Sequence, residues 1–244
     1  MPESHTKTIK RPVSNLIFTL LSSVTLLIGV TILNWTLYGI IYLIWIDSVF
    51  LTVFTILKMK RAGRASTEEE LKLKKGVYST NGVPVEPTDQ TVIKEYRNTR
   101  LLLLVVYWVF IQIMFGFMLT KEEHVIRNIQ FFMFADAGMW LSIFSLTLQY
   151  ASDYFKNYMQ TREYENTSRM MLFNPMDKRS ITLHVGIIGS GFLYFLKSEK
   201  FTASDPYLMA AYFFIILKML VDTWAWYRGG DIITSPCELA NETE

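Results

Sequence analysis

Cysteine is nearly absent from this 244-residue chain, in which Cys237 is the only one. A single thiol cannot form a disulfide within the chain, and no Cys/His spacing predicts a zinc site. Histidine is also scarce, with three residues in all. Only His184 falls within an apolar segment, whereas a haem held by two histidines would need a second one there. The sequence therefore leaves any cofactor unknown.

Two further absences narrow the function. The net charge is only +2, which is too small to indicate a nucleic-acid partner. The Gly-x-Ser-x-Gly, His-Glu-x-x-His and P-loop motifs are all missing. Ser190 and His184 share a segment, but "GSGF" lacks the flanking pattern of a membrane-embedded hydrolase. Whether the chain is an enzyme stays open, and a non-enzymatic role is favoured.

Long apolar runs are what the sequence has in abundance. Hydrophobic residues make up 51% of it and charged residues 19%, with a mean hydropathy of +0.24. A helix needs about 20 mostly apolar residues to cross a bilayer, and an open sheet would leave backbone groups unpaired in lipid. The pattern predicts an all-α polytopic helix bundle that forms a single membrane domain over residues 1–244. Six spans are predicted, at 15–33, 36–57, 101–119, 127–152, 180–198 and 206–227.

Positive charge is segregated by this topology. The N-terminal segment, the loops 58–100 and 153–179 and the C-terminal tail hold 19 of the 24 lysines and arginines. Because loops rich in Lys and Arg stay in the cytoplasm, both termini and both long loops are expected there. The first apolar run is about as long as a span, so we expect a retained anchor rather than a signal peptide. The chain is thus predicted to be a multi-pass protein of the cytoplasmic (inner) membrane.

Five ionisable residues interrupt the predicted spans, namely Asp47, Asp136, His184, Lys218 and Asp222. Such groups cost at least about 2.5–3.5 kcal/mol each on insertion scales, so they normally face the protein interior and pair. Counted from the span ends, Asp47, Asp136 and Lys218 are predicted to share a layer near the midplane. His184 and Asp222 form a second predicted layer nearer the cytoplasm.

Three interpretations of this charged set stay open. Buried Asp–Lys and Asp–His pairs could simply hold the helices in register. Acids, a histidine and a lysine arranged through the bilayer also resemble the relays of proton pumps and cation transporters. The third interpretation is a metal or cofactor site with His184 and Asp222 as candidate ligands, although two ligands do not define a metal site.

Small residues are concentrated in the fifth predicted span, "HVGIIGSGF". Gly186 and Ser190 are four residues apart, with Gly189 and Gly191 beside them. Small side chains at this spacing let two helices approach closely. We therefore expect a tight helix contact here, either within the chain or between copies.

Three segments carry a resemblance to a known family. They are "YLIWIDSVFLTVFTILKM", "ITLHVGIIGSGFLYF" and "ILKMLVDTWAWYR". In these motifs the chain resembles an uncharacterised family of bacterial and archaeal multi-spanning membrane proteins, a domain of unknown function. The resemblance rests on Asp47, Lys58, His184, Lys218 and Asp222, and it implies no established activity.

The leading hypothesis is a small proton- or cation-coupled transporter or channel-like protein that uses the intramembrane Asp/Lys/His network. The alternative is a non-catalytic membrane subunit or scaffold, assembling as a homo-oligomer or within a larger membrane complex. The lipid bilayer is the expected partner under both hypotheses, and nucleic acid is expected under neither.

Overall fold

A computed structural model describes residues 23–66, 79–80, 83–84, 89–118, 122–174, 180–181, 183–189 and 206–227. The helices are α1 (23–31), α2 (Leu37–Arg61), α3 (Asp89–Ile111), α4 (Glu122–Phe132), α5 (Ala137–Ser152), α6 (Glu163–Asn166), α7 (Arg169–Leu172), α8 (180–181 and 183–189) and α9 (Pro206–Tyr227). Two of them continue as π-helices, α3 over Gln112–Met118 and α5 over Asp153–Met159. A short antiparallel hairpin of β1 (Ser79–Thr80) and β2 (Val83–Pro84) lies between α2 and α3 in the chain.

Helix α2 is central to the bundle. Its N-terminal half is apolar around the whole circumference, as expected of a helix enclosed on all sides, and residues 37–44 and 46–48 are buried. Thr36 caps its start by accepting a hydrogen bond from Gly39 N at 3.2 Å. Because α2 contacts α3, α4, α5, α7 and α9, a polar group on α2 can meet partners from several helices.

Two helices in the described part of the chain are long and apolar enough to cross a membrane. They are α2 and the helix from Gln90 to Met118. The number rises to three if α4 and α5, which are bent by 40° at a short break, are taken as one span. Helix α9 adds a further apolar stretch over Met209–Val221. These helices indicate membrane association, while residues 15–22 and 190–198 of the predicted first and fifth spans lie outside the described residues.

The predicted fourth span, 127–152, is not one continuous helix. Helix α4 ends because Phe134 adopts a left-handed backbone conformation with φ of 56°. Ala135 N then bonds to Gln130 O at 2.8 Å, the hydrogen bond of a Schellman cap. Helix α5 begins after Asp136, whose side chain caps it by accepting a hydrogen bond from Met139 N at 2.9 Å. Asp136 therefore lies between two helices rather than inside one.

Parts of the two predicted loops are packed rather than solvated. The end of α2, the start of α3 and α7 share a small hydrophobic core. That core contains Met59, Val92, Tyr96, Met170 and Phe173. Backbone hydrogen bonds also join Gly63 N to Tyr164 O at 2.8 Å and Arg64 N to Thr167 O at 3.3 Å. The helices thus extend beyond their predicted ends into a structured cap, with α2 reaching Arg61 and α3 beginning at Asp89.

Candidate functional site

A buried ion pair joins α2 to α9. Lys218 Nζ lies 3.8 Å from Asp47 Oδ2, and the two residues are only 5% and 3% exposed. Burying one such charge alone costs several kcal/mol, a cost that an opposite charge can offset. The separation is longer than the 2.7–3.2 Å typical of an N–H···O hydrogen bond. Two of the five predicted residues are thus brought together, as partners across two helices.

Tyr150 of α5 is a second partner of Asp47. Its hydroxyl donates to Asp47 Oδ1 at 2.6 Å, within the range of a charge-assisted O–H···O⁻ bond. Phe50 and Phe54 of α2 stack on the Tyr150 ring, with centroids 6.2 and 5.6 Å away. The aromatic stack fixes the ring, so the hydroxyl is held at one carboxylate oxygen while Lys218 faces the other.

A small cavity of about 20 Å³ opens beside this pair. That volume is enough for one water molecule. Asp47 and Lys218 line it together with three hydroxyl-bearing residues and four aliphatic ones. The seven others are Thr25, Leu26, Leu43, Ile44, Ser142, Ser145 and Leu146. Because the hydroxyls can donate and accept hydrogen bonds, a water molecule here would have polar partners next to the Asp47 carboxylate.

Asp136, the third member of the predicted midplane cluster, has a different partner. Arg127 Nη2 lies 3.0 Å from Asp136 Oδ2 and also donates to Leu33 O at 2.9 Å. A Cβ added to Gly138 would lie 2.8 Å from Leu33 Cδ1, so the start of α5 lies beside the α1–α2 turn. Asp47 lies ten residues inside α2, or about 15 Å along its axis from that turn. The expectation of a single Asp47–Asp136–Lys218 cluster is corrected: Asp136 is a helix cap at the level of this turn.

His184 of α8 meets a tyrosine. Its Nδ1 is hydrogen bonded to Tyr107 Oη of α3 at 2.8 Å, and the two rings make an edge contact at 5.8 Å. The tyrosine is buried and the histidine is exposed. Asp222 was expected to form the same layer as His184, but only its backbone, within α9, falls in the described part of the structure.

The glycine face of α8 packs against α9 within the same chain. A Cβ at Gly186 would overlap the ring of Phe214, and one at Gly189 would lie 2.6 Å from Phe213 Cε1. Only hydrogen at these positions lets the phenylalanine rings approach the α8 backbone so closely. Ser190 and Gly191, the rest of the predicted packing motif, lie outside the described residues.

Arg100 is a buried charge that the sequence assigned to a loop. It is 1% exposed, and it donates from Nε to Thr52 Oγ1 at 3.1 Å and from Nη1 to Ser180 Oγ at 2.6 Å. These bonds tie α3 to α2 and α8. Helix α3 begins at Asp89, twelve residues before the predicted span at 101, so Arg100 lies within this helix and not in a loop.

A second ion pair lies nearer the end of α2. Lys58 Nζ is 2.7 Å from Asp153 Oδ2, with side chains 21% and 32% exposed. Lys58 also lies over the Tyr158 ring, 5.4 Å from its centroid, within cation–π range. Lys58 was singled out by the family resemblance, whereas Asp153 and Tyr158 fell in the predicted loop.

No three His, Cys, Asp or Glu side chains converge within the described ranges to hold a metal ion. Of the two candidate ligands, His184 is engaged by Tyr107, and the Asp222 side chain is outside those ranges. What the described residues assemble around Asp47 is an ammonium group and several hydroxyls beside its carboxylate.

A helical bundle with two or three span-length helices and a buried acid–base pair defines a helical, membrane-associated protein. Within that class, the chain belongs to the family of unknown function DUF6498, which matches residues 5–233. The resemblance to an uncharacterised family is thereby confirmed. No curated protein and no solved structure matches the chain.

Proposed function

We propose that this protein is a multi-pass protein of the cytoplasmic membrane that couples transport to protons or cations through Asp47 and Lys218. The proposal includes six spans with both termini in the cytoplasm. The described helices of span length and the segregation of Lys and Arg to one predicted side support this topology. Helix α9, with 22 residues, is about 33 Å long and is thus sufficient for one crossing.

The observation that carries the proposal is the buried Asp47–Lys218 pair beside a water-sized cavity. At 3.8 Å the two groups attract each other without a tight hydrogen bond, so either one can exchange its partner. A proton arriving on Asp47 would cancel the carboxylate charge and remove its attraction for the Lys218 ammonium group across the two helices. That change favours a different arrangement of α9 against α2, which is how ion binding can shift a conformational equilibrium.

The test is proton flux into liposomes that contain the purified protein and a trapped pH-sensitive dye. A potassium diffusion potential drives the flux, and wild type is expected to acidify the lumen faster than protein-free liposomes. Asp47→Asn is expected to lower the rate to that of protein-free liposomes. Replacing sodium and potassium salts outside by choline then identifies the ion. Absence of any flux from folded wild type would contradict the proposal.

A double variant that keeps the fold serves as the control for this test. Removing one partner of a buried ion pair costs roughly 3–5 kcal/mol because the other charge is left uncompensated. The double variant Asp47→Asn/Lys218→Met removes both charges with little change in volume. We expect it to elute as wild type does and still to show no flux, which separates loss of function from loss of fold.

A second candidate function is a non-catalytic membrane subunit, and His184 favours it. This imidazole is exposed on α8 beside Ile181, Val185 and Ile188, which are also exposed. An ionisable side chain facing lipid is costly, whereas a protein partner would cover it. Native mass spectrometry from mild detergent tests this idea, since a lone monomer with no bound partner would count against it.

A further inference from the structure

Helix α4 has an unusual composition for part of a membrane span. Its eleven residues, "EEHVIRNIQFF", include six that are charged or strongly polar. Three of the six, Arg127, Asn128 and Gln130, fall in the predicted span 127–152, and a crossing helix would carry them into hydrocarbon at a cost. The neighbouring helix α5 is different, because its α-helical part, "AGMWLSIFSLTLQYAS", contains no charged residue. Its first charged residues, Asp153 and Lys156, follow in the π-helical part.

The protein-facing side of α4 carries polar groups beside the buried ring of Phe131. Asn128 accepts a 2.7 Å hydrogen bond from Thr36 Oγ1, and Arg127 binds both Leu33 O and Asp136. The opposite side is apolar and uncovered. Its exposed residues are Val125, Ile126, Ile129, Phe132 and Met133, with exposures of 37%, 73%, 54%, 41% and 66%. They follow a helical repeat and so form one continuous face.

Both ends of the α4–α5 break lie at the same level of the bundle. Arg127 contacts Leu33 O, and Gly138, eleven residues later, adjoins Leu33 and Trp35. Along a single straight helix those two residues would be separated by about 16 Å. The Arg127 side chain and the start of α5 therefore meet the same α1–α2 turn.

Helix α5 is long enough to cross the bilayer without α4. Its α-helical and π-helical parts run from Ala137 to Met159. These 23 residues span about 34 Å at the rise of an α-helix and somewhat less with the π-helical turns, close to the ~30 Å of the hydrocarbon core. The Asp136 cap satisfies one of its first amides, that of Met139, and a helix beginning at a membrane interface needs such partners for its free amides.

We propose that α4 docks on one leaflet through its apolar face, at the side of the α1–α2 turn, and that α5 alone forms the fourth span. The partner is the interfacial region of lipid, into which amphipathic helices with this division of faces insert. The π-helical end of α3 contacts α4 and carries two more exposed apolar residues, Phe117 and Met118, which can meet the same leaflet.

Nitroxide labels on single cysteines test this arrangement, in full-length protein with Cys237 replaced by serine and reconstituted in liposomes. Collisions with oxygen and with a water-soluble nickel chelate report the depth of each label. Labels replace exposed residues of α5, namely Leu141, Phe144, Leu148 and Phe155. Ile126 reports on the apolar face of α4, and Gln130, also exposed, is a polar position at the edge of that face, one turn further along. Each variant must first elute as wild type does.

If α5 alone crosses, the deepest label is at Leu148, near the middle of 137–159. Ile126 is then shallow and accessible to oxygen, and Gln130 is more accessible to nickel. If the deepest label is at Leu141, the span includes α4 and the proposal is overturned. A label at Ile126 that neither reagent reaches would mean that a second copy or another protein covers α4. If the nickel chelate reaches the Ile126 label as easily as the Gln130 label, α4 lies in water. Each of these two results for Ile126 overturns the proposed lipid contact.

Discussion

The Tyr150 hydroxyl donates a 2.6 Å hydrogen bond to Asp47 from a position 103 residues further along the chain. Asp47 itself lies in the N-terminal half of α2, where residues 46–48 are buried. Its carboxylate meets a phenol and an ammonium group from two other helices. This relationship explains how a charge can occupy the middle of an apolar helix, and it leads to the first prediction.

Replacing Tyr150 by phenylalanine should lower the free energy of unfolding by about 1.5–3 kcal/mol, the range for hydrogen bonds to charged groups. Thermal or detergent-induced unfolding of the purified protein measures the change. Tyr154→Phe is the matched control, because Tyr154 is also a buried tyrosine of this helix and its hydroxyl makes no hydrogen bond to any described residue. Equal losses in the two variants would show that the bond to Asp47 contributes nothing.

Asp136→Asn should leave proton flux close to that of wild type, in contrast to Asp47→Asn. Asparagine can still cap α5, and Asp136 pairs with Arg127 at the α1–α2 turn rather than with Lys218. Asp136→Ala should destabilise the protein by a further ~1 kcal/mol, because the cap to Met139 N is lost. Loss of proton flux in a stable Asp136→Asn variant would contradict this and show that Asp136 is needed for transport.

Gly186→Ala should destabilise the protein by about 1–3 kcal/mol, the usual cost of overpacking. The added methyl group would overlap the Phe214 ring at the α8–α9 contact. Gly116→Ala is the control within another helical segment, since a Cβ there would lie 3.5 Å from Tyr38 Cε2, an ordinary contact distance. Wild-type stability for Gly186→Ala, measured in the same unfolding assay, would mean that α8 and α9 can separate at no cost.

Cys237 offers a direct test of orientation, since it is the only cysteine. With both termini in the cytoplasm, a membrane-impermeant maleimide should label it in inside-out vesicles and not in intact cells. A second cysteine at Lys121, in the predicted loop on the opposite side, should show the reverse pattern when Cys237 is replaced by serine. Labelling of Cys237 in intact cells would place the C-terminus outside and invert the topology.

Much of the helical framework could be predicted from the sequence. The predicted sixth span, 206–227, has the same bounds as α9, Pro206–Tyr227, and the second, 36–57, falls almost entirely within α2. Such agreement is expected because hydropathy is summed over many residues and a bilayer imposes a fixed length. A partner for Asp47 could also be expected, since a lone buried carboxylate is costly wherever it lies.

The features that the sequence did not predict depend on single residues. Phe134 breaks the fourth predicted span through one left-handed φ angle, and a bulky apolar residue gives no warning of that conformation. Asp136 before two small residues did fit the N-cap preference, a signal that could have located the start of α5. Arg100 could not be recognised as buried, because its burial depends on where α3 begins and on Thr52 and Ser180 from other helices.

The sequence by itself determined that the chain is helical, that it associates with a membrane and that charges interrupt its apolar segments. These properties follow from the composition and from the apolar runs of the sequence. Neither depends on which helices pack against each other. Only the tertiary structure decided that Lys218 and Tyr150 meet Asp47, that Arg127 meets Asp136 and that Tyr107 meets His184. Those pairings depend on how each helix is rotated about its axis and where it is interrupted, and such geometry is set by packing between segments far apart in the chain.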